Sequence, residues 1–375
     1  MDLSQLIPEL LQGFTHFTLG NAIMIVVGGI LVALAVIKEY EPVLLLPIGF
    51  GCILANIPMT GMETELGLFG VLYRAGIKTE LFPLLIFVGV GAMIDFSPLL
   101  SQPRMVLLGA AGQFGIFGTL ILATLLGFPL NQAASIGVIG AIDGPTSIFV
   151  ATKLAPEILA PIAVAAYSYM SLIPIIQPPI MRLMTTKKER RIRMEYAPRP
   201  VSRTALVLFP IVSTVLIGLL VPAATPLISM LMLGNLLRES HVVERLSQAA
   251  QNEIINVATL FLGLTIGSTM GAAFFLNWQT IGILLLGLLA FVLDTVAGLG
   301  FGKLMSALSG GSVNPLIGAA GISAFPMAGR LAARMAQEED FENFILMHAM
   351  GSNTAGQLGS VMAGGVLLSL VTGLM

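Results

Sequence analysis

A single acidic side chain interrupts a long apolar stretch of this sequence. Asp143 lies in the string GAIDGPTS at residues 140–147, inside an otherwise uncharged segment, 133–151. An ionisable group within a bilayer costs several kcal/mol, so such a group usually marks an ion or proton path. Gly144 and Pro145 remove a side chain and a backbone donor beside the carboxylate. The pattern predicts a helix that breaks at Asp143 and turns bare backbone groups toward a bound ion.

The composition supports the assumption of a bilayer. Of the 375 residues, 56% are hydrophobic and 10% are charged, and the formal net charge is -2. Soluble domains carry about a quarter charged residues. A net negative charge, together with the lack of groove-reading or single-strand-binding motifs, argues against a nucleic-acid partner. We therefore predict an all-α polytopic membrane protein in contact with lipid.

Apolar segments of membrane-spanning length recur along the chain. Six are predicted to be plain spanning helices: 19–38, 104–127, 157–181, 204–222, 279–301 and 356–374. Three more are interrupted by proline, glycine or polar residues: 43–58, 82–98 and 255–275. The most broken are 131–151 and 312–334, which we expect to be broken or re-entrant helices.

The two halves of the chain resemble each other. Three pairs of short strings match in the same order: Pro47 and Asn56 with Pro226 and Asn235, FVGV at 87–90 with FLGL at 261–264, and IGA at 139–141 with IGA at 317–319. Their offsets are 179, 174 and 178 residues. Collinear matches at nearly one period indicate an internal repeat.

A segment dense in Lys and Arg, 182–203, separates the halves and is expected to be a cytoplasmic loop. If five crossings precede it, the second half is inverted relative to the first. The predicted organisation is an interfacial helix (1–18), a first repeat (19–181), the basic loop (182–203) and a second repeat (204–375). In such a plan, broken helices of two inverted repeats meet near the membrane midplane and form an ion site.

Oxygen-bearing side chains near the two broken segments are the candidate ligands. In the first half they are Asp143, Thr146, Ser147, Asp95 and Tyr169, and in the second half they are Asn314, Ser323 and Asn353. Such hard donors suit Na+ better than a transition metal. The alternative for each Asn or Ser is a hydrogen bond that only joins neighbouring helices. Asp294 and Lys303 are expected to form a structural ion pair.

Five strings together resemble the beta subunit of the sodium-pumping biotin-dependent decarboxylases, which act on oxaloacetate, methylmalonyl-CoA or glutaconyl-CoA. They are VGVGAMIDF at 88–96, GAIDGPT at 140–146, YMSLIPIIQPPIM at 169–181, NPLIGAAGIS at 314–323 and HAMGSN at 348–353. The resemblance covers the chain from about residue 41 to its end. Their occurrence in this order makes the likeness specific.

The resemblance implies a membrane subunit that decarboxylates carboxybiotin and couples this step to Na+ export with proton consumption. It implies partners as well: a carboxyltransferase subunit, a biotin carrier protein and a small single-span membrane subunit, with copies of this chain associating in the complex. It places the chain in a bacterial or archaeal cytoplasmic membrane.

The resemblance also assigns roles to residues. It implies catalytic roles for Asp143, Tyr169 and Arg330, and contact with carboxybiotin for Arg330, Ser323 and Asn353. The implied Na+ ligands are Asp143, Asn314, Gly318, Ser323, Asn353 and Asp95.

Two other classes remain open from the residues alone. A secondary Na+-coupled organic anion carrier would use the same repeats and broken helices without chemistry. A membrane anchor for a soluble enzyme would tolerate loss of the Asp143 carboxylate.

Overall fold

The computed structural model describes residues 11–195 and 200–374, and within these ranges the chain forms helices and no β-strand. Residues 1–10 of the predicted interfacial helix lie outside the described part, and its remainder contains one short helix, Gln12–Thr15. The all-α class predicted from composition is confirmed.

The principal helices follow the apolar segments of the sequence. In the first half they are α1 (Leu19–Ile37), α2 (Pro42–Ala55), α3 (Leu81–Met93), α4 (Phe114–Leu125), α5 (Leu130–Gly137), α6 (Gly144–Leu154) and α7 (Leu159–Met184). In the second half they are α8 (Arg203–Leu220), α9 (Thr225–Ser240), α10 (Ile255–Ser268), α11 (Trp278–Leu308), α12 (Leu316–Ala319), α13 (Met327–Glu339) and α14 (Leu346–Leu374).

Shorter helical turns connect or extend these helices. They are Leu68–Leu72, Ser97–Ser101, Val106–Ala111, Lys187–Arg190, Glu244–Ala249 and Ala272–Phe275, the 3-10 turns Pro103–Met105, Val138–Ala141, Pro156–Ile158 and Pro222–Ala224, and the π-helical turns Tyr73–Ile77 and Ala250–Ile254. The two π turns each come shortly before the third long helix of their half, α3 and α10.

In the described residues, five helices are long and apolar enough to span a membrane, and two bent pairs raise the number to as many as seven. The segment predicted as a plain span at 157–181 is one of the bent pairs, with a bend of 64° between Met170 and Leu172. Pro174 explains the bend, because its ring lacks an N–H and crowds the carbonyl four residues earlier, at Met170.

Helices of the first half of the chain pack against helices of the second half in two pairs. Helix α2 packs along α10, and α9 packs along α3. At each crossing an asparagine side chain donates to a backbone carbonyl of the other half: Asn56 to Met270 and Asn235 to Ile94, each at 3.0 Å. These are the two asparagines that the repeat pairs. Reciprocal contacts of this kind suit two related halves, and the inversion of one half relative to the other stays a prediction.

Ion pairs tie the basic segment to the far end of α13. The Arg190 guanidinium approaches Glu339 to 2.5 Å, and Arg193 approaches Asp340 to 2.6 Å. Hydrogen bonds from these arginines lower the pKa of both carboxyls. Because the pKa values are lowered, the pairs are intact at neutral pH and are lost only as pH falls below the ordinary carboxyl range. The contact fixes where α13, and the broken segment before it, lies relative to α7.

Close helix packing at the crossings depends on glycine. A Cβ atom at Gly91 of α3 would lie 2.7 Å from the carbonyl carbon of Leu231 in α9. We expect Gly91→Ala to destabilise the protein by about 1–3 kcal/mol, the usual cost of overpacking. Thermal unfolding of the detergent-purified protein measures the effect. The matched control is Gly300→Ala in α11, where nothing lies within 4 Å of the added methyl. Equal stability of the two variants would contradict this account of the crossing.

Candidate functional site

Asp143 lies at a break between two helical pieces, as the sequence predicts. The 3-10 turn Val138–Ala141 ends at Ile142, and α6 begins at Gly144. Ile142 has a φ of +53°, the left-handed region that β-branched residues rarely adopt. Such conformations cost of order 1–3 kcal/mol and cluster at functional sites. Asp143 is the N-cap of α6: its carbonyl accepts the first helical hydrogen bond, from the Ser147 amide at 2.9 Å, and its extended backbone lets the side chain face other elements.

The Asp143 carboxylate is buried and held by hydrogen bonds from two helices. Its Oδ2 accepts bonds from Thr146 Oγ1 at 2.6 Å, Gln357 Nε2 at 2.9 Å and Ser360 Oγ at 2.9 Å. Thr146 lies in the first turn of α6, whereas Gln357 and Ser360 lie in α14. Among the described side chains, these are the donors to the carboxylate, and none of them bonds Oδ1.

A cavity of about 340 Å³ lies against this carboxylate. Its polar lining residues are Glu41, Asp143, Tyr167, Gln251, Asn256, Thr259, Ser323 and Gln357. The cavity extends to Met93 at the end of α3. Arg238 donates to the Met93 carbonyl, and Arg203 donates to Ser240 a short distance along α9, each at 2.8 Å. Because Arg203 ends the basic segment, the cavity reaches the same face of the protein as that segment.

The second broken segment meets the first beside Asp143. The backbone N–H of Ser323 donates to the carbonyl of Ala141 at 3.1 Å. The Ser323 hydroxyl donates to the Gly356 carbonyl at 2.8 Å, and Asn353 Nδ2 donates to the Ile322 carbonyl at 2.7 Å. Within the described residues, Asn353 Oδ1 is buried and has no hydrogen-bond partner. The second broken segment is therefore bonded both to the first broken segment, next to Asp143, and to α14.

Of the residues predicted as ligands, Asp143 and Ser323 line the same cavity and Asn353 bonds the carbonyl of Ile322 next to Ser323, whereas Asn314 and Gly318 lie elsewhere. Asn314 Nδ2 donates to the carbonyls of Arg190 and Ile192 at 3.0 and 2.9 Å, so its amide holds the basic segment. Gly318 faces α11, and a Cβ atom there would contact the Gly298 carbonyl. Its role in this conformation is close helix packing.

Three other predicted residues also lie apart from the carboxylate in this conformation. Asp95 is half-buried and accepts a bond from the Ser97 amide at 2.8 Å. The Tyr169 hydroxyl donates to the Leu284 carbonyl of α11 at 2.5 Å. Arg330 is exposed on α13. None of the three lines the cavity at Asp143.

Sequence reasoning missed Gln357 and Ser360, which bond Asp143, and Tyr167, which packs against α6. Gln357 and Ser360 follow the predicted Asn353 at helical spacing, so a polar stripe on α14 was the available signal. Tyr167 was passed over in favour of Tyr169. Its ring fills the space where a Cβ atom of Gly144 would lie. No residue spacing in the sequence indicates that contact.

The donor set around Asp143 consists of oxygen and amide groups. In the described residues, no group of three or more His, Cys, Asp or Glu side chains is placed to hold a metal ion. Amide, hydroxyl and carboxylate oxygens are the ligands of hard cations. A buried carboxylate between two broken helices and beside a cavity is the arrangement expected of a multi-pass ion-transporting membrane protein.

Comparison with known proteins identifies the family. Residues 20–371 match the model of the Na+-transporting oxaloacetate decarboxylase beta subunit. The chain is 55% identical to the glutaconyl-CoA decarboxylase beta subunit of Acidaminococcus fermentans and to the methylmalonyl-CoA decarboxylase beta subunit of Veillonella parvula, over 96% of each chain. It is 46% identical to the oxaloacetate decarboxylase beta chain of Klebsiella pneumoniae, over 96% of this chain and 97% of the relative. The chain therefore belongs to the beta subunits of the Na+-transporting decarboxylases, as the sequence strings predict.

The donors on α14 give a direct test of the site. We expect Gln357→Leu or Ser360→Ala to raise the Na+ concentration for half-maximal decarboxylation by roughly tenfold, because a hydrogen bond to a charged group contributes about 1.5–3 kcal/mol. The measurement is the Na+ dependence of decarboxylation in the purified complex.

The control for both variants is Thr354→Val in the same helix. Thr354 is equally buried, but its hydroxyl bonds only the Met350 carbonyl one turn earlier. An unchanged Na+ dependence in both variants would show that the donors to Oδ2 do not shape the ion site.

Proposed function

We propose that this chain decarboxylates carboxybiotin presented by a biotin carrier protein and uses the reaction to export Na+ while consuming a proton. The observation that supports this most strongly is the buried Asp143 carboxylate, which lies at the wall of a cavity and is surrounded by oxygen donors of both halves. Family membership decides against the secondary anion carrier and the passive anchor, because the family members are subunits of Na+-transporting decarboxylases.

The Na+ ligands that we propose are Asp143, Ser323 and Asn353. Asp143 Oδ1 receives no bond from the described side chains, and Asn353 Oδ1 is buried without a partner. Both are oxygen acceptors, so they satisfy the preference of Na+ for hard ligands. Asn314, Gly318 and Asp95 are engaged elsewhere in this conformation and would join the site only after a rearrangement.

Arg330 is the residue that we propose for binding the carboxylate of carboxybiotin. It projects from α13, the helix that follows the second broken segment, and it is exposed on the protein surface. A guanidinium recognises a planar carboxylate through paired hydrogen bonds. Ser323, at the end of the second broken segment and on the cavity wall, is placed to act between such a substrate and the ion. Tyr169, bonded to α11, would position α7 rather than touch the reacting atoms.

Coupling requires that the reaction favour one arrangement of the site over another. Loss of CO2 breaks the C–N bond of carboxybiotin, and the nitrogen keeps the electron pair and takes a proton. Removal of the substrate carboxylate at Arg330 changes the charge beside the helix that follows the second broken segment and so shifts the balance between inward-open and outward-open forms. Export of one Na+ against 100 mV takes roughly 2.3 kcal/mol, so a few kcal/mol per ion is sufficient.

The partners follow from the same proposal. A carboxyltransferase subunit would load the biotin, a biotin carrier protein would bring it to the membrane face that carries the basic segment, and a small single-span membrane subunit would complete the complex. The acyl substrate is then a property of the carboxyltransferase rather than of this chain.

Substitution of Asp143 tests the ion site. We expect Asp143→Asn to abolish Na+-dependent decarboxylation in the reconstituted complex, a decrease of at least about a hundredfold, because the neutral amide cannot balance the charge of Na+. The assay follows CO2 release and Na+ uptake into vesicles. Glu244→Gln, an exposed carboxylate that bonds Gln248, is the control. A variant that pumps Na+ at the normal rate would refute the role of Asp143.

Arg330 is tested by comparison with its neighbour one turn away. We expect Arg330→Gln to raise the concentration of carboxylated carrier needed for half-maximal rate by roughly tenfold, since a hydrogen-bonded charge pair contributes about 1.5–3 kcal/mol. The Na+ concentration for half-maximal rate should stay the same. Arg334→Gln is the control, because Arg334 is exposed on the same helix and pairs with Glu338 at 3.7 Å. If both variants weaken carrier use equally, the effect is general surface charge and not carboxylate binding.

A further inference from the structure

A second carboxylate is buried deeper than Asp143 and has no part in the mechanism above. Asp294 lies near the middle of α11 and is fully buried. Its Oδ1 accepts a hydrogen bond from the backbone N–H of Gly115, and its Oδ2 has no partner among the described residues. The predicted ion pair with Lys303 is wrong, because the Lys303 ammonium lies 3.3 Å from Glu189. No described cation therefore balances Asp294.

The surroundings of Asp294 leave space for a carboxyl group and little else. A Cβ atom at Gly115 of α4 would lie 2.8 Å from the Asp294 carboxyl carbon. A Cβ atom at Gly140, in the turn before Asp143, would lie 2.7 Å from Oδ2. The absence of side chains at these two glycines, on two different elements, makes room for the carboxyl. The Ala290 methyl is the neighbour beside Gly140.

This packing suits a proton and does not suit Na+. An isolated carboxylate in an apolar interior is so costly that the group takes up a proton instead. A metal ion would need several oxygen ligands around Oδ2, whereas a proton needs only the lone pair of that oxygen. The bond that Oδ1 receives orients the group without neutralising it.

We propose that Asp294 is a proton-binding site of this ion pump. A hydronium ion transfers its proton to the Oδ2 lone pair and leaves as water, so one O–H bond breaks and the carboxyl O–H bond forms. When the helices around Asp294 rearrange and water reaches it, the proton leaves again. This inference rests on the proposed function and supplies the site of the proton that the function requires. It assigns Asp294 to the proton and Asp143 to Na+.

The first broken segment connects the two carboxyls. Gly140, in the 3-10 turn, packs beside Asp294 Oδ2, and Asp143 follows three residues later, just after that turn. A movement of this segment would therefore alter the surroundings of both carboxyls.

Few other charges act on Asp294. The titratable groups on the elements packed against it are Lys303 on α11 itself, Asp143 on the first broken segment, and Tyr167, Tyr169 and Arg182 on α7. The described parts of α4, α5 and α12 contribute none.

The experiment compares Asp294→Asn with Thr295→Val in the reconstituted complex. Asn keeps the shape and the acceptor for Gly115 but cannot release a proton, whereas Thr295 is an equally buried neighbour without an ionisable group. We expect Asp294→Asn to lower the rate of Na+-coupled decarboxylation at least tenfold and to flatten its dependence on pH, with the Na+ concentration for half-maximal rate changed less than twofold. Thr295→Val should retain the normal pH profile. A normal rate and pH profile in Asp294→Asn would overturn the proposal.

Infrared difference spectroscopy provides a second readout that does not depend on turnover. The protonated carboxyl should give a C=O stretch that shifts in heavy water, disappears in Asp294→Asn and persists in Asp143→Asn. If Asp294→Asn cannot be purified, the spectrum of Asp143→Asn alone tests the inference. Absence of the protonated C=O stretch from that spectrum would overturn it. The two failures are distinguishable. Normal Na+-dependent decarboxylation in Asp143→Asn would refute the proposed function. If Asp143→Asn is inactive but Asp294→Asn has a normal rate and pH profile, only the proton site is refuted.

Discussion

The cost of keeping a carboxylate within a bilayer determines how the residues around Asp143 are arranged. Three donors converge on one oxygen of this group, and two of them come from α14 in the other half of the chain. The break at Ile142 frees the side chain from its own helix, and the second broken segment reaches the same place through Ser323. Loss of any of these contacts would leave charge without compensation, so the two halves are held together at the point where an ion would bind.

The crossed packing of the halves supplies the rigidity that this arrangement needs. Helices α2 and α10, and likewise α3 and α9, approach closely because glycine lines their contact, and Asn56 and Asn235 bond backbone across the crossings. In a membrane, where apolar surface gives little drive for helix association, such close packing and interhelical hydrogen bonds provide most of the specificity. The cavity beside Asp143 is lined in part by α2, α3 and α10.

The basic segment has a structural role in addition to its effect on orientation. Its arginines pair with Glu339 and Asp340, and Asn314 binds its backbone carbonyls. The second broken segment is therefore anchored at both ends, by the basic segment and by α14. A resemblance to the decarboxylase subunits suggested Asn314 as an ion ligand, whereas in this conformation its amide is used to fix the segment that contains Ser323.

The sequence by itself determined the membrane class, the family and the break at Asp143. These depend on local chemistry: hydropathy over a helix length, a Gly-Pro pair after an acid, and strings specific enough to recognise. The tertiary structure decided which residues reach the carboxylate. Gln357 and Ser360 lie more than two hundred residues from Asp143, and Asp294 meets Gly115 and Gly140 only because three elements pack together. Such contacts depend on how helices cross, and helix crossing is set by packing between distant segments, which residue order along one helix does not encode.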